Sequence, residues 1–596
     1  MLKIEIAGQA IDLFPDSSVA WELKNPMFED TGSHSWTMSL PETPANKKIF
    51  GFPARLTKAT LMQADVPFSL YHSGLLLFIG TATVKETKKG TIEVYFKTGS
   101  GDLNNNIKDK SLRDFEYGGS LLSYFNTPAL QSYLLAQSAD IFPTSKVAVF
   151  PLKNEGQSLN GPPTDAWIEQ NDRYTQNSFE TTWTPIPGGA ATNAFTFNSN
   201  IFPYLAHVLP YILNETGFML QNDPFLFYPE LKRLCIVTNN EQPFLIWPGP
   251  TMELKVKNFM PGSNASELFI GLKSLFGLLF FANHNSGRVV SMFWKEIFAS
   301  ADLEDWTDKS LKTIETSIEE LVHLSYKFEA DGADGYYSTR VKEIDPAKVL
   351  SSAANYASLP STGNFIGDLR LVTSEDVYYE WVFINEETGT MQWSFFSINI
   401  NKNLGKGDSI SSKISPVIQN HWLRSTKNTT YNPYDYYLRI TDFFTPRMDM
   451  KVNKKGERTE CGIRFAFYRG YQNVQENFFH YVIGTPSAVG SLNTPVPFGT
   501  HDVYAPDGTK IPEANLALKW DGQYGLYENF WKEYAEWHAT RRRMVTRYIM
   551  LTAADLASLK MYRKVRIDGV NFFIKSISVT IKTNGIMPAK VEMYTA

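Results

Sequence analysis

Alternation opens the chain. In MLKIEIAGQAIDLF, Leu2, Ile4 and Ile6 take turns with Lys3 and Glu5, Gly8 offers a turn, and Ile11 and Leu13 resume the pattern. A strand with one buried face follows from that period of two. The period returns at Val66, Phe68 and Leu70, ahead of a His72-Ser73-Gly74 turn and the apolar run Leu75 to Ile79. It returns again at Ile92, Val94 and Phe96, after Lys88-Lys89-Gly90. Short strands at this spacing predict a small sandwich or barrel.

Within this set lies GSHSWTMSLPETPANKKIFGFPARL, Gly32 to Leu56. Ser33, Ser35, Thr37 and Ser39 alternate with the larger His34, Trp36, Met38 and Leu40, which reads as a strand with its heavier face inward. Pro41 and Pro44 then forbid continued pairing, and Asn46-Lys47-Lys48 leads into Phe50-Gly51-Phe52-Pro53. A strand that stops at a rigid corner and presents Phe50 and Phe52 has two readings of equal weight. The two rings anchor a neighbouring subunit, or they plug the end of their own barrel.

A period near 3.6 appears three times. In PYLAHVLPYILNETGF, Leu205, Val208, Leu209 and Ile212 share a face, Pro203 suits a first turn, and Pro210 predicts a kink or break. In Asn258 to Phe281, Ser263 or Asn264 can cap, Glu267 falls in the first turn, and Leu268, Leu272 and Leu275 form the stripe. A strand, a His284-to-Gly287 turn and a second strand, Val289 to Trp294, follow. Leu526 to Met544 is read as one helix with Tyr527, Phe530, Trp531, Tyr534 and Trp537 on one side. Such a stripe is core or subunit interface, so Trp531 and Trp537 join Phe50 and Phe52 as candidate interface residues.

Strand patterns also dominate from about 320 to 540, with a hairpin at Tyr378 to Ile400 turning at Glu386 to Gly389. The end, KVRIDGVNFFIKSISVTI, reads as a hairpin around Asp568-Gly569. Its apolar phase slips from Phe572 and Ile574 to Ile577, Val579 and Ile581, which predicts a β-bulge. Residues 151–200, rich in Asn, Thr, Pro and Gly, read as an exposed insertion.

The expected fold is mainly β with α+β insertions, multidomain, with small barrels or sandwiches at both ends and a helix-containing middle. In linear terms the parts are an N-terminal β-barrel (1–110) and a loop-rich α+β insertion (111–250). An α+β domain (251–345), a β-rich domain (346–525) and the aromatic helix with the C-terminal hairpin (526–596) complete it. A length of 596 residues suits roughly three to five domains.

Composition narrows the function. A share of 43% hydrophobic against 20% charged residues supports packed cores, and 14% aromatic residues favours strands and contact surfaces. A net charge of -5 argues against a dedicated binder of nucleic acid or anionic membrane. Cys235 and Cys461 form no CxxC or Cys/His cluster, which fits synthesis in a reducing cytoplasm. The N-terminus alternates like a strand rather than a signal peptide, and the apolar run Leu268 to Phe281 is too short to span a bilayer, so no stable membrane insertion is expected.

Motifs that carry chemistry are missing from the sequence. The nine histidines show no HxxxH or HxH, and His207 reads as a packed helix residue. There is no GxSxG elbow, and Gly405-Lys406-Gly407 lacks phosphate-loop spacing and reads as a surface turn. Glu319-Glu320 and Asp302, Glu304 and Asp305 read as solvated faces rather than a glycosidase pair. Arg541-Arg542-Arg543 with Arg547 reads as the positive end of the preceding helix. No catalytic, cofactor-binding or metal-binding residue is assigned, and no cofactor is expected.

The Gly32-to-Phe50 line resembles the N-terminal signature of hub-type tail proteins in phages and prophages of Bacteroidetes-type bacteria, through Gly32, Ser33, Ser35, Pro41, Thr43, Asn46 and Phe50. Further segments resemble the same family in order: PYLAHVLPYILNETGF with PELKRLCIVTNN, NFMPGSNASELFIGLKSLFG, EDWTDK, WDGQYGLYENFWKEY and VRIDGVNFFIKSISVTI. The likeness is weakest at about 151–200 and 340–500, and nothing resembling a C-terminal peptidoglycan-cleaving domain follows. It implies a non-enzymatic virion protein at the tail tip, made in the bacterial host cytoplasm. It also implies a homotrimeric baseplate hub, two similar barrels per subunit forming a ring around the DNA exit channel. Implied partners are the tail tube, distal tail, tape-measure and receptor-binding or spike proteins, with DNA passing through without specific binding. Two alternatives stay open. Aromatic-rich stretches near 160–190 and 420–440 suit a surface glycan or receptor, and a polysaccharide-degrading enzyme ranks last.

Overall fold

The computed structural model of the chain describes residues 1–29, 32–53, 65–123, 127–155, 200–238, 253–318, 462–482, 485–504, 510–520, 522–540 and 543–596, with shorter stretches between 167 and 245 and between 325 and 459. The fold is mainly β, with several sheets, helices between them and more than one domain.

The N-terminal strands Leu2–Ile6, Val66–His72, Leu75–Lys88 and Thr91–Thr98 pair antiparallel in succession. Ser73-Gly74 joins the second to the third, and Ala7-Gly8 joins the first to the short strand Gln9–Ala10. Ala7-Gly8 (φ 49 and 74) and Ser73-Gly74 (φ 51 and 81) both have two left-handed residues, the geometry that matches strand twist in a tight hairpin. At the other end, Lys564–Ile567 and Val570–Lys582 meet across Asp568-Gly569, again with both φ positive (51 and 81). The register of Val570–Lys582 against Ala589–Thr595 shifts between Ile574 and Ser576, so the phase slip seen in the sequence is a bulge at Lys575.

The two ends are not separate. Ser18–Lys24 pairs antiparallel with Val570–Lys582, from Ser18↔Lys582 to Lys24↔Ser576, and makes one 15-stranded sheet of both strand sets. They share a core in which Ile4, Trp21, Phe78 and Phe96 pack with Ile577, Val579 and Val591. Trp21 stacks on Phe78 with ring centres 4.3 Å apart.

A second, larger core holds the helices. The helix Leu205–Glu215 continues through Pro210, and Leu205, Val208, Leu209 and Ile212 are fully buried; Pro203 lies in a short strand before it instead of in its first turn. The helix Ala265–Phe276 follows Asn264 and ends at left-handed Gly277 (φ 62), with Leu268, Leu272 and Leu275 buried. It leads into the predicted hairpin, Leu278–Ala282 with Arg288–Phe293. The aromatic helix is shorter than predicted: a π-helical turn at Tyr527–Trp531 runs into Lys532–His538, and a strand begins at Arg543. The widened turn buries Phe530 and Trp531 together.

Four long strands, Ile418–Thr429, Asp435–Met448, Arg464–Val482 and Thr485–Thr500, form an antiparallel ribbon based on the helical core. The predicted hairpin near 378–400 is present as Val377–Asn385 paired with Met391–Ser397; its turn lies outside the described residues, as does most of the predicted insertion at 151–200.

Candidate interaction site

The corner after Pro41 is a short helix, Pro44–Ile49. Thr43 caps it by accepting from the Asn46 N–H (3.2 Å) and donates its own hydroxyl to Asp12 Oδ2 (2.6 Å). Asn46 is fully buried; its amide donates to the carbonyls of Asp12 (3.0 Å) and Pro41 (2.9 Å) and accepts from the Asp12 N–H (3.0 Å). Ser33 and Ser35 likewise accept from the backbone N–H groups of Lys24 (3.1 Å) and Phe96 (3.0 Å). Ser33, Ser35, Thr43 and Asn46 therefore satisfy buried or half-buried backbone groups, which would otherwise be costly.

The heavier face of this stretch does not stay inward. Against Thr91–Thr98 the register slips by one residue, from His34↔Lys97 to Met38↔Val94, so the alternation changes phase at Trp36–Thr37, while the Trp36 N–H donates to Ala20 on the Ser18–Lys24 strand (2.9 Å). Ser35 is buried and Trp36 is 63% exposed. His34 lies edge-on to Trp36 (6.4 Å) and beside Tyr95 (5.8 Å), and its Nε2 is 3.8 Å from Glu22.

Phe50 is half-buried against the core of its own sheet. Gly51 (φ 65) and Phe52 (φ 60) are both left-handed, and the Phe52 N–H donates back to Lys47 (2.6 Å). A phenylalanine at this φ is strained, and such residues persist where their surroundings fix them. Trp531 is 4% exposed, packs within the helical core and donates its indole N–H to Leu275 (3.1 Å). Trp537, half-buried, packs on Phe298 and Phe573 and donates to Thr595 (3.0 Å), which ties the aromatic helix to the last strand.

Where the shared sheet meets the helical core, an apolar cleft of about 360 Å³ opens between Leu103 and Ile107 on one side and Phe269, Ile270 and Phe280 on the other. A second cleft of about 160 Å³ adjoins it, and both are bordered by Lys24. Lys24 bonds Glu29 (2.7 Å) and approaches Glu22 (3.6 Å); the Glu29 hydrogen bond holds its ammonium above the ordinary lysine value. Lys24 and Glu22 thus link the cleft to the His34–Trp36 shelf.

The other residues read from the sequence fall as follows. His207 is buried, and desolvation pushes it down to about 4, so it is a neutral packing residue at pH 7. Asp302 and Glu304 pair with Arg563 (3.0 and 3.5 Å), and Asp305 accepts from the Thr307 N–H (2.9 Å). Arg547 sits on a strand and not at a helix end; it bonds Asp568 (2.8 Å) and Ser310 (3.0 Å). Cys235 is buried and burial raises its thiol. Gly405 to Gly407, Glu319, Glu320, Arg541, Arg542 and Cys461 lie outside the described residues. Among the described residues no group of three or more His, Cys, Asp or Glu side chains is placed to hold a metal ion. No helix among them is long and apolar enough to cross a membrane.

A buried ionic cluster was not foreseen. Arg469 pairs with Glu230 and donates to the carbonyls of Leu516 (2.7 Å) and Asp502 (3.3 Å). Asp502 pairs with Lys519. Burial opposes ionisation of Asp502, but Lys519, His501 and the Val503 N–H together hold its carboxyl below the usual range. Nothing local marks these partners, since Glu230 and Arg469 lie far apart in the sequence.

A scan against protein-family models and a search of the curated proteins find no match. Among solved structures, the chain is similar to the 43 kDa tail protein of prophage MuSo2 from Shewanella oneidensis (TM-score 0.31, 8% identity, covering 99% of this chain and 95% of that one). It is also similar to a tail protein from Neisseria meningitidis MC58 (TM-score 0.32, 7% identity, covering 100% and 95%).

Proposed function

We propose that the protein is a structural component of a phage or prophage tail, of the tail-tip hub type, and that it works by assembly and not by turnover. In this reading three copies close a ring around the DNA exit channel, between the tail tube and the distal, tape-measure and receptor-binding or spike proteins. One observation supports it most. The segments that carry the family likeness, scattered from Gly32 to Ile581, converge in the shared sheet and the helical core next to it. The least family-like stretch, 340–500, supplies the ribbon at the margin. Phe52, strained and half-buried at the corner, is the residue we assign to the subunit contact. Phe50, Trp531 and Trp537 act from within by fixing the surfaces that meet.

Mass measured in solution across a concentration series, with negative-stain images of the same sample, tests this reading. A threefold ring with a central opening wide enough for duplex DNA is expected, and Phe52→Ser should lower ring formation while the subunit stays folded. A chain that remains monomeric even when mixed with isolated tail tubes would overturn it.

The exposed Trp36, flanked by His34 and Tyr95, favours one second reading, a surface that stacks on the sugar rings of a host glycan. Binding to host surface polysaccharide that is lost in Trp36→Ala would support it.

A further inference from the structure

The Arg464–Val482 strand changes character midway. Residues 464–468 are buried; Arg464 to Phe467 pair with Leu234–Val237, Arg464 and Phe465 also with Ser415–Pro416, and Phe467 and Tyr468 with Thr500 and Gly499. Then the register slips: Tyr468 faces Gly499, but Tyr471 faces Pro497, so Arg469 and Gly470 together oppose one residue. Gly470 is left-handed (φ 81) with open space where a Cβ would stand, so its backbone, not crowding, calls for glycine. Beyond it Tyr471 is 39% exposed, and Ser491, Asn493 and Pro495 on the facing strand are exposed. The strand leaves the body at this bulge.

The bulge is held from two sides. Arg469 turns inward, pairs with Glu230, reaches the carbonyls of Leu516 and Asp502, and lies over the Phe467 ring (4.5 Å). The same Glu230 accepts from the Asn515 N–H (2.7 Å), so one carboxylate binds the ribbon and the 510–520 segment together. On the other side Ser138 straddles the bulge: its carbonyl accepts from the Tyr468 hydroxyl, and its Oγ shares a hydrogen bond with the Tyr471 hydroxyl (2.7 Å). Val474 and Val496, beyond the bulge, pack into the helical core.

We propose that this is a pinned joint: Gly470 is the pivot of the ribbon, the Arg469–Glu230 pair is the pin that fixes its angle, and the Ser138–Tyr471 bond is the brace. A glycine next to a bulge can absorb a change in backbone angles, whereas the buried pin allows one position. A force applied along the outer part of this strand then meets the pin and the brace and is passed to the 510–520 segment through Glu230, while the neighbouring strand Asp435–Met448 is held separately by its pairing with Leu152–Glu155.

Amide hydrogen exchange on the full chain tests the joint. In Glu230→Gln, which keeps the shape and removes the charge, amides of 475–482 and 485–494 should exchange roughly tenfold faster as one block, while 464–468 keep their protection. Acceleration in 464–468 to the same extent would mean general loosening, and no acceleration in the outer block would mean that the pin holds nothing; either result overturns the proposal. Should Glu230→Gln fail to fold, Tyr471→Phe decides, since it removes only the brace and leaves no charge buried. A smaller acceleration confined to the outer block is expected there, and an unchanged outer block overturns the joint.

Discussion

Leu23 and Ile577 face each other across an antiparallel pair, although one lies near the start of the chain and the other near its end. Both are buried. The strands that carry them close the shared sheet, so the two ends form one core. Trp21→Ala, which removes the ring stacked on Phe78, should cost about 3–5 kcal/mol and loosen both ends at once. Urea unfolding with hydrogen exchange checks this: amides of 2–24 and 564–595 should lose protection together. Protection that survives at the C-terminal end would show that the sheet is two cooperative units.

The corner offers a contrast between neighbours. Asn46→Ala removes the amide that bonds the Asp12 N–H and the carbonyls of Asp12 and Pro41, and should cost about 1–3 kcal/mol. Phe52→Gly relieves the strain at φ 60 and should leave the subunit as stable as before, or up to about 1 kcal/mol more so. The same variant should still impair assembly if the ring of Phe52 is a subunit anchor. Denaturant midpoints give the first comparison, and solution mass gives the second. A large loss of stability in Phe52→Gly would place the ring in the core of its own chain.

Local signals in the sequence survive into the structure where the cause is local. Asp568-Gly569 fixes a two-residue turn, the slip after Ile574 is the bulge at Lys575, and Leu268, Leu272 and Leu275 bury as a stripe. What failed depends on distant partners. The outward turn of Trp36 follows from a one-residue slip against Thr91–Thr98, a strand distant in sequence. The pairing of Ser18–Lys24 with Val570–Lys582 rests on a register that any two alternating strands can satisfy, so alternation alone does not reveal it. The Arg469–Glu230 pin belongs to the same class, because neither charge differs in sequence from a solvated one. The early stop of the aromatic helix was equally hidden, since the π-helical turn keeps the aromatic spacing while shifting its phase.

A titration should be visible at Asp223. Desolvation raises its carboxyl from 3.8 to about 6, against the pull of the Phe225 N–H that it caps. A carboxyl raised in the folded state contributes stability that is full below pH 3.8 and lost as pH rises through 6. Asp223→Asn keeps the cap and removes the titration. Relative to that variant, the unaltered protein should lose about 2 kcal/mol between pH 4 and pH 7. His207, lowered from 6.5 to about 4, acts in the opposite sense and loses stability as pH falls; being common to both proteins, it cancels in the difference. Parallel stability curves would show that Asp223 is not desolvated as described.

The ribbon's outer margin carries a different kind of information. Pro486, Pro495 and Pro497 of Thr485–Thr500 face Tyr481, Asn473 and Tyr471 of the neighbouring strand. The partners are all odd-numbered, so the three prolines fall in one class of position, the class whose backbone groups point away from the ladder. A proline is tolerated there because it has no N–H to offer the neighbour, and for the same reason it denies a donor to any strand arriving from outside. The margin is therefore a poor template for strand addition, which limits edge-to-edge association of this chain. Pro486→Thr with Pro495→Thr restores two donors without touching the buried Pro497. At about 1 kcal/mol for each hydrogen bond, self-association through this margin should tighten roughly thirtyfold. Sedimentation velocity should then show species larger than any formed by the unaltered protein at equal concentration. An unchanged size distribution would mean that something other than the prolines closes the edge.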